Sequence, residues 1–221
     1  MMRWKESLLN LFFPTANACH LCERALEGTQ DCLCRRCALG LQACAILPIE
    51  RETLVASRWR GLSAFWYQDQ ARELVHQLKY HSNLQAARPL GDQMALALVQ
   101  SSLQGQADAL VPVPLHPARL RQRGYNQAEI LAREVSLHTG VPLCEAALFR
   151  RKNLGTQVRR TREERLQAMA HVFSASETVV GGKRLLLIDD VLTTGATADA
   201  CLQALQQAGA EVLGVLTACR A

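Results

Sequence analysis

The sequence predicts an α/β fold, a mostly parallel sheet flanked by helices, preceded by a small cysteine-rich segment. Three observations lead to this prediction. Strand-like and helix-like segments alternate between residues 71 and 217, which is typical of parallel sheets. An apolar run at residues 185–188 is followed at once by two aspartates. Six of the nine cysteines lie between Cys19 and Cys44.

The elements follow from apolar spacing and from the residues that end helices. The predicted helices are residues 71–80, about 84–101, 126–140 and 198–209, and the predicted strands are residues 109–113, 141–149, 184–189 and 211–217. The composition changes near residues 48–53, where the cysteine cluster ends. We therefore expect a zinc-binding segment at residues 1–52 and one α/β domain at residues 53–221.

The composition is that of a globular protein, with 49% apolar and 20% charged residues. No apolar run reaches the roughly 18–20 residues that a membrane-spanning helix needs. Residues 8–13 form a short apolar run after a basic start, so a secretion signal is an alternative to a short amphipathic helix ended by Pro14. Glu6 and Asn10 interrupt this pattern and favour the helix.

The cysteines form two Cys-x-x-Cys pairs separated by eleven residues. Two such pairs make two knuckles that supply four thiolates to one structural Zn²⁺. Disulfides and inert thiols are the alternatives, and either Cys32 or Cys44 could replace a ligand. A local cluster beside a cysteine-poor region favours a metal in a reducing compartment, so we expect a cytoplasmic protein. The predicted ligands are Cys19, Cys22, Cys34 and Cys37.

Residues 185–197 form the most informative part of the sequence. A buried strand delivers Asp189 and Asp190 to the carboxyl end of the sheet, where α/β proteins bind ligands. A loop of small hydroxyl residues and a glycine then leads into a helix, whose N-terminus attracts anions. The carboxylates suit a vicinal diol, and a phosphate beside a diol is a ribose 5-phosphate. The candidate phosphate-binding residues are Thr193, Thr194, Gly195, Ala196 and Thr197. The alternative is a purely structural strand and turn.

This string resembles the PRPP motif of type I phosphoribosyltransferases. Two further strings, Val111-Pro112-Val113-Pro114-Leu115-His116 and Arg123-Gly124-Tyr125-Asn126-Gln127, together with the leading Cys-x-x-Cys pair, resemble the ComF/GntX family. These are bacterial proteins linked to DNA uptake and to the use of external DNA. The resemblance covers nearly the whole chain.

The resemblance implies a type I phosphoribosyltransferase fold that binds PRPP together with Mg²⁺. Asp189 and Asp190 would hold the ribose hydroxyls, and residues 193–197 would hold the 5-phosphate. The turn at residues 116–124 would contact pyrophosphate, with Arg123 as the best candidate. Residues 150–165 take the place of the mobile catalytic loop. The implied catalytic residues are Asp189, Asp190 and Arg123.

Residues 116–165 contain eleven lysines and arginines and five acids, which indicates an anionic partner. Three functions stay open: phosphoribosyl transfer to an acceptor that the sequence does not identify, a module that binds single-stranded DNA or a DNA-uptake helicase, and a scaffold that docks a partner through its zinc knuckles. Aromatic residues are only 5% of the chain, so at most Trp59, Trp66 and Tyr125 form a short base-stacking platform. The paired aspartates favour recognition of a sugar.

Overall fold

The computed structural model describes residues 18–26, 32–150 and 172–221. Its helices are α1 (Arg35–Ala43), α2 (Asp69–Tyr80), α3 (Ala87–Val99), α4 (Pro117–Arg123), α5 (Gln127–Thr139), α6 (Glu177–Val180) and α7 (Ala196–Gln207). Its strands are β1 (Glu52–Val55), β2 (Trp59–Trp66), β3 (Ala109–Pro112), β4 (Leu148–Arg150), β5 (Phe173–Ala175), β6 (Arg184–Leu192) and β7 (Glu211–Arg220). None of the helices in these ranges combines the length and the apolar character that a membrane crossing requires.

The main sheet has five strands in the order β1–β2–β7–β6–β3. Strands β2, β7, β6 and β3 run parallel to one another, and β1 pairs with β2 in the antiparallel direction at one edge. Parallel neighbours need crossover connections, and α7 provides the one between β6 and β7. The predicted mostly parallel sheet flanked by helices is confirmed.

Strand β6 lies between β7 and β3 and is buried on both faces, as its apolar sequence predicts. Leu186 and Ile188 contribute to the core that also contains residues of α2, α3 and α5. Leu185 and Leu187 contribute to the core beneath α7. Because successive side chains of a strand point to opposite faces, β6 anchors both helical layers. Whatever follows Ile188 is therefore held at a rigid edge of the sheet.

Two segments differ from their predicted form. Residues 141–149 are not one strand, since a single bridge between Leu110 and Leu143 gives way to a 3₁₀ turn before β4. Pro142 lacks the N–H that a longer ladder needs, and β4 pairs instead with β5 in a separate two-stranded sheet. The predicted turn at residues 116–124 contains helix α4. Its Pro117 sits at the first helical position, and His116 Nδ1 accepts the Ala118 N–H at 3.2 Å.

The cysteine-rich segment is joined to the sheet through the chain that follows α1. The Ile46 N–H donates to Ala64 O at 3.0 Å, and the Trp66 N–H donates to Cys44 O at 2.9 Å. Leu41 and Cys44 are buried in the same core as α2 and α3. The division between residues 1–52 and 53–221 stays a prediction about which part folds independently.

Candidate functional site

The two aspartates at the carboxyl end of β6 lie beside different helices. Asp189 lies near Cys201 of α7. Burial is the main cause that raises the pKa of the Cys201 thiol, and the charge of Asp189 raises it further. Asp190 lies near α2, where it pairs with Lys79. This divergence follows from the alternation of side chains along a strand. The two carboxylates that the sequence places side by side therefore have separate environments.

Asp189 lines a small cavity of about 60 Å³, together with residues 191–198 and Thr217. Its Oδ1 atom accepts the backbone N–H of Asp190 at 2.9 Å. Burial, reinforced by the charge of Asp190, raises the pKa of Asp189 to about 7. Near neutral pH this carboxyl group can therefore either donate or accept a hydrogen bond.

The loop at residues 193–195 and the start of α7 form the rest of this cavity. Gly195 has a φ of +76°, a left-handed conformation that glycine adopts without steric cost. A Cβ atom at this position would also lie 2.7 Å from Val55 Cγ1, so there is no room for a side chain. The first N–H groups of a helix lack partners within the helix. The predicted phosphate-binding residues and Asp189 thus surround one anion-compatible cavity.

An additional acid, Asp199, lies in the first turn of α7 and was not predicted as part of the site. Arg58 Nη2 and Trp59 Nε1 donate to its Oδ1 atom at 2.6 and 2.7 Å, and Gln203 Nε2 donates to Oδ2 at 2.8 Å. Burial acts to raise the pKa of Asp199, but these hydrogen bonds outweigh it and the pKa lies below its usual value. The acid nearest the anion cavity on α7 is therefore compensated by Arg58 from the β1–β2 hairpin.

Asp190 is only 4% exposed, and its Oδ1 atom accepts a hydrogen bond from Lys79 Nζ at 2.6 Å. Its second oxygen, Oδ2, is buried and has no hydrogen-bond partner among the described residues. A buried carboxylate is costly unless it is paired, and α2 supplies the partner. Sequence reasoning missed Lys79, although it lies four residues after the buried Val75 and so on the edge of the buried face of α2.

Arg123 ends α4 and lines a pocket of about 240 Å³. Its Nη1 atom donates to Gln127 Oε1, and its guanidinium carbon lies 5.6 Å from the centre of the Tyr80 ring. The residues that line this basic pocket are Lys79, Tyr80, Ser82, Arg119, Gln122 and Arg123. The structure therefore places the predicted pyrophosphate residue beside the lysine that pairs with Asp190. Residues 151–165 of the predicted catalytic loop lie outside the described ranges.

The four predicted zinc ligands lie together, with their Sγ atoms all within 4.8 Å of one another. The Sγ atoms of Cys22 and Cys34 are 3.7 Å apart, close to the ~3.8 Å expected for two sulfurs bonded at ~2.3 Å to a tetrahedral ion. A backbone hydrogen bond at Cys37 is the main cause that lowers the pKa of the Cys34 thiol to about 7, whereas burial is the main cause that raises the pKa of the Cys37 thiol. The arrangement is compatible with a structural zinc site.

The other two cysteines of the N-terminal segment are not part of this four-sulfur group within the described residues. Cys44 is buried, and its thiol donates to Gly40 O at 3.3 Å and to Gln68 O at 3.5 Å. Cys32 accepts the His20 N–H through its carbonyl oxygen at 2.9 Å. The predicted set of four cysteines therefore needs neither of them.

The phosphoribosyl transferase domain family matches residues 82–221, more than half of the chain. Competence protein F of Haemophilus influenzae is 30% identical over 153 residues, which cover 67% of this chain and 67% of that protein. Competence protein ComFC of Bacillus subtilis is 26% identical and covers 86% of this chain and 78% of that protein. The chain belongs to the ComF family.

Another relative agrees with this assignment. The DNA utilization protein YhgH of Escherichia coli is 30% identical over 207 residues, which cover 91% of this chain and 89% of that protein. Among solved structures, glutamine phosphoribosylpyrophosphate amidotransferase from B. subtilis is 26% identical with a TM-score of 0.45. That alignment covers 62% of this chain and about a quarter (26%) of the amidotransferase chain.

Of the three aromatic residues expected to stack on bases in this ComF protein, Trp66 is the exposed one. Trp59 is buried, and its ring nitrogen donates to Asp199. Tyr125 is half-buried, and its hydroxyl donates to Leu78 O. Trp66 is 37% exposed, whereas Tyr80 is 67% exposed and lines the basic pocket. Among the described residues, Tyr80 and Trp66 are both exposed aromatic residues beside a cation, since Arg123 lies 5.6 Å from the Tyr80 ring and Arg220 lies 4.6 Å from the Trp66 ring.

Proposed function

We propose that this protein binds PRPP or ribose 5-phosphate at the carboxyl end of β6. One observation carries the proposal: two acids lead directly into a glycine-opened cavity at the N-terminus of α7. The cavity suits a phosphate, and the acids suit the adjacent hydroxyls of a ribose. In this assignment residues 193–197 hold the 5-phosphate, and Asp189 and Asp190 hold the sugar.

The proposed reaction class is phosphoribosyl transfer. Pyrophosphate leaves C1 of the ribose, and positive charge develops on the sugar. Arg123 is the proposed contact of the leaving pyrophosphate, and cations placed where negative charge develops lower the barrier. The basic pocket beside Asp190 supports this role because it contains two further cations, Lys79 and Arg119.

Two metals fit the residues present. Carboxylate oxygens are hard ligands of the kind that Mg²⁺ prefers, and Asp189 supplies a carboxylate to the cavity at the start of α7. Mg²⁺ bound with PRPP would neutralise the leaving pyrophosphate. The four grouped cysteines suit Zn²⁺. Because four protein ligands leave no open position, this zinc would be structural.

We place the protein in DNA uptake or in the use of external DNA, because its relatives carry the names competence protein and DNA utilization protein. A second candidate function is a binding module for single-stranded DNA or for a helicase of the uptake machinery. The basic pocket with the exposed Tyr80 beside it favours this candidate, since bound single strands use cations and stacked aromatic rings.

Calorimetric titration tests the choice between these functions. Wild-type protein should bind ribose 5-phosphate, and PRPP with Mg²⁺. Gly195→Val should abolish binding of both, because valine resists a positive φ and would meet Val55. Gly105→Val is the matched control, since Gly105 also has a positive φ but a Cβ atom added there would meet nothing within 4 Å. Wild-type protein that ignores both sugar phosphates but binds single-stranded DNA would leave only the second candidate.

A further inference from the structure

Lys79 lies between two groups of opposite character. Its ammonium nitrogen is 2.6 Å from Asp190 Oδ1, and its side chain also lines the basic pocket. The Lys79 side chain is 20% exposed, whereas the Asp190 side chain is 6% exposed. The lysine therefore reaches solvent through the pocket while its partner stays inside the protein.

The basic pocket contains three cations and no acid among its lining residues, which are Lys79, Tyr80, Ser82, Arg119, Gln122 and Arg123. Clustered cations of this kind attract an anion that carries more than one charge. Among the described residues, the acid that forms an ion pair with these cations is Asp190, through Lys79. An anion in the pocket would therefore compete with Asp190 for the same ammonium group.

Loss of Lys79 to an anion would free Asp190 for a new partner at the proposed sugar site. Asp190 lies one residue from Asp189 at the sugar side of the proposed site, and its Oδ2 atom has no hydrogen-bond partner among the described residues. A buried carboxylate that loses its cation needs another partner. A ribose hydroxyl can be that partner, because a carboxylate oxygen accepts a strong hydrogen bond from it.

We propose that Lys79 is a positioning residue that is exchanged between Asp190 and a diphosphate anion in the basic pocket. Without ligand, Lys79 neutralises Asp190. With ligand, the diphosphate draws the ammonium into the pocket, and Asp190 turns to the ribose hydroxyls. The inference rests on the proposed function, because diphosphate and ribose are then two parts of one ligand, PRPP.

Exchange predicts effects of opposite sign at the two partners. Inorganic pyrophosphate and ribose 5-phosphate are titrated separately by calorimetry. Lys79→Met should weaken pyrophosphate binding about 10- to 100-fold, because a charge-assisted contact is lost. Asp190→Asn should strengthen pyrophosphate binding several-fold, since the competitor for Lys79 is gone, and should weaken binding of ribose 5-phosphate.

Three variants serve as controls for the pyrophosphate measurements. Lys183→Met removes an exposed lysine just before β6, at the opposite end of that strand from the acids, and should leave pyrophosphate binding unchanged. Lys79→Arg keeps the cation and should restore most of the affinity. In the double variant Lys79→Met/Asp190→Asn, which buries no unpaired charge at this pair, the asparagine should no longer strengthen pyrophosphate binding, because the exchanged group is absent.

If Lys79 had a purely structural role, the effect of Asp190→Asn on pyrophosphate binding would not depend on Lys79. The exchange would be overturned if Asp190→Asn weakened pyrophosphate binding. It would also be overturned if Asp190→Asn strengthened pyrophosphate binding equally in wild-type protein and in Lys79→Met. Wild-type protein that fails to bind ribose 5-phosphate would instead remove the proposed function. The exchange is measured with pyrophosphate alone, so the two failures are distinguishable.

Discussion

The cysteine cluster and the β6 site differ in what holds their side chains in place. Cys19 and Cys22 sit on a short loop, Cys34 precedes α1, and Cys37 lies in the first turn of that helix. One of the four, Cys22, is exposed. The aspartates follow four fully buried residues of β6, an interior strand of the sheet. The proposed zinc ion would organise the first site, whereas apolar packing on both faces organises the second.

This difference teaches where each site is vulnerable. Loss of the ion should disorganise the cysteine cluster and spare the sheet, and loss of core packing should do the reverse. The contact between the two regions, made by Leu41 and Cys44 with the core near α2 and α3, is the place where this separation can fail.

The largest expected effect is that of zinc removal. Purified protein should contain about one Zn²⁺ per chain, since four thiolates fit one tetrahedral ion. Chelation, or Cys37→Ser, should increase hydrogen exchange in the cysteine segment and leave β6 and β7 protected. Cys144→Ser changes a cysteine outside the cluster and should keep the metal. Metal-free protein with blocked thiols in a disulfide map would contradict the zinc assignment.

Leu187→Ala should have the next largest effect, and on the other region. Leu187 is fully buried on β6, so its truncation should lower the free energy of unfolding by about 2–5 kcal/mol in urea titrations. Leu137→Ala, at a residue that is 77% exposed, should change it by less than about 0.5 kcal/mol. The zinc content of folded Leu187→Ala should match wild type, and a parallel loss of zinc would show that the two regions form one cooperative unit.

The two regions should also respond to pH in opposite directions. Burial raises the pKa of Asp189 from 3.8 to about 7, so between these values the folded state holds a proton that the unfolded state releases. The contribution of Asp189 to stability therefore falls as pH rises from about 4 to about 7. Zinc affinity should rise over the same range, because protons compete for the thiolates. Urea unfolding at several pH values in this range should show that the free energy of unfolding changes less with pH in Asp189→Asn than in wild type. An unchanged pH dependence would mean that other groups cause it.

The smallest expected effect concerns the hairpin beside the anion cavity. Arg58→Met leaves the charge of Asp199 less compensated in the first turn of α7, which should weaken ribose 5-phosphate binding about 2- to 5-fold. Stability should change by less than about 1 kcal/mol, because Arg58 is 47% exposed. Arg60→Met removes a similar charge from the same hairpin and should leave binding unchanged. Equal weakening by both variants would indicate a general charge effect.

The fold and the loop that lines the cavity at the start of α7 were predictable because the residues responsible are close together in the chain. An apolar strand, Gly195 and a following helix determine the local backbone whatever the distant neighbours are. The two Cys-x-x-Cys pairs were predictable for the same reason, since their spacing alone matches a tetrahedral metal site. In contrast, residues 141–149 were predicted as one strand from their apolar character, which does not reveal that Pro142 limits the pairing.

Tertiary structure alone decided which groups complete the site. Lys79 and Asp190 are 111 residues apart in the chain, and Arg58 and Asp199 are 141 apart. Strands β1 and β2 were not predicted. Strand β2 belongs to the sheet because it pairs with β7, which is distant in the chain. The sequence by itself determined the strand, the acids, the cavity-forming loop and the cysteine pairs, since short-range backbone geometry specifies them. The partners of those acids depend on how helices and strands pack over long chain separations, which local patterns do not encode.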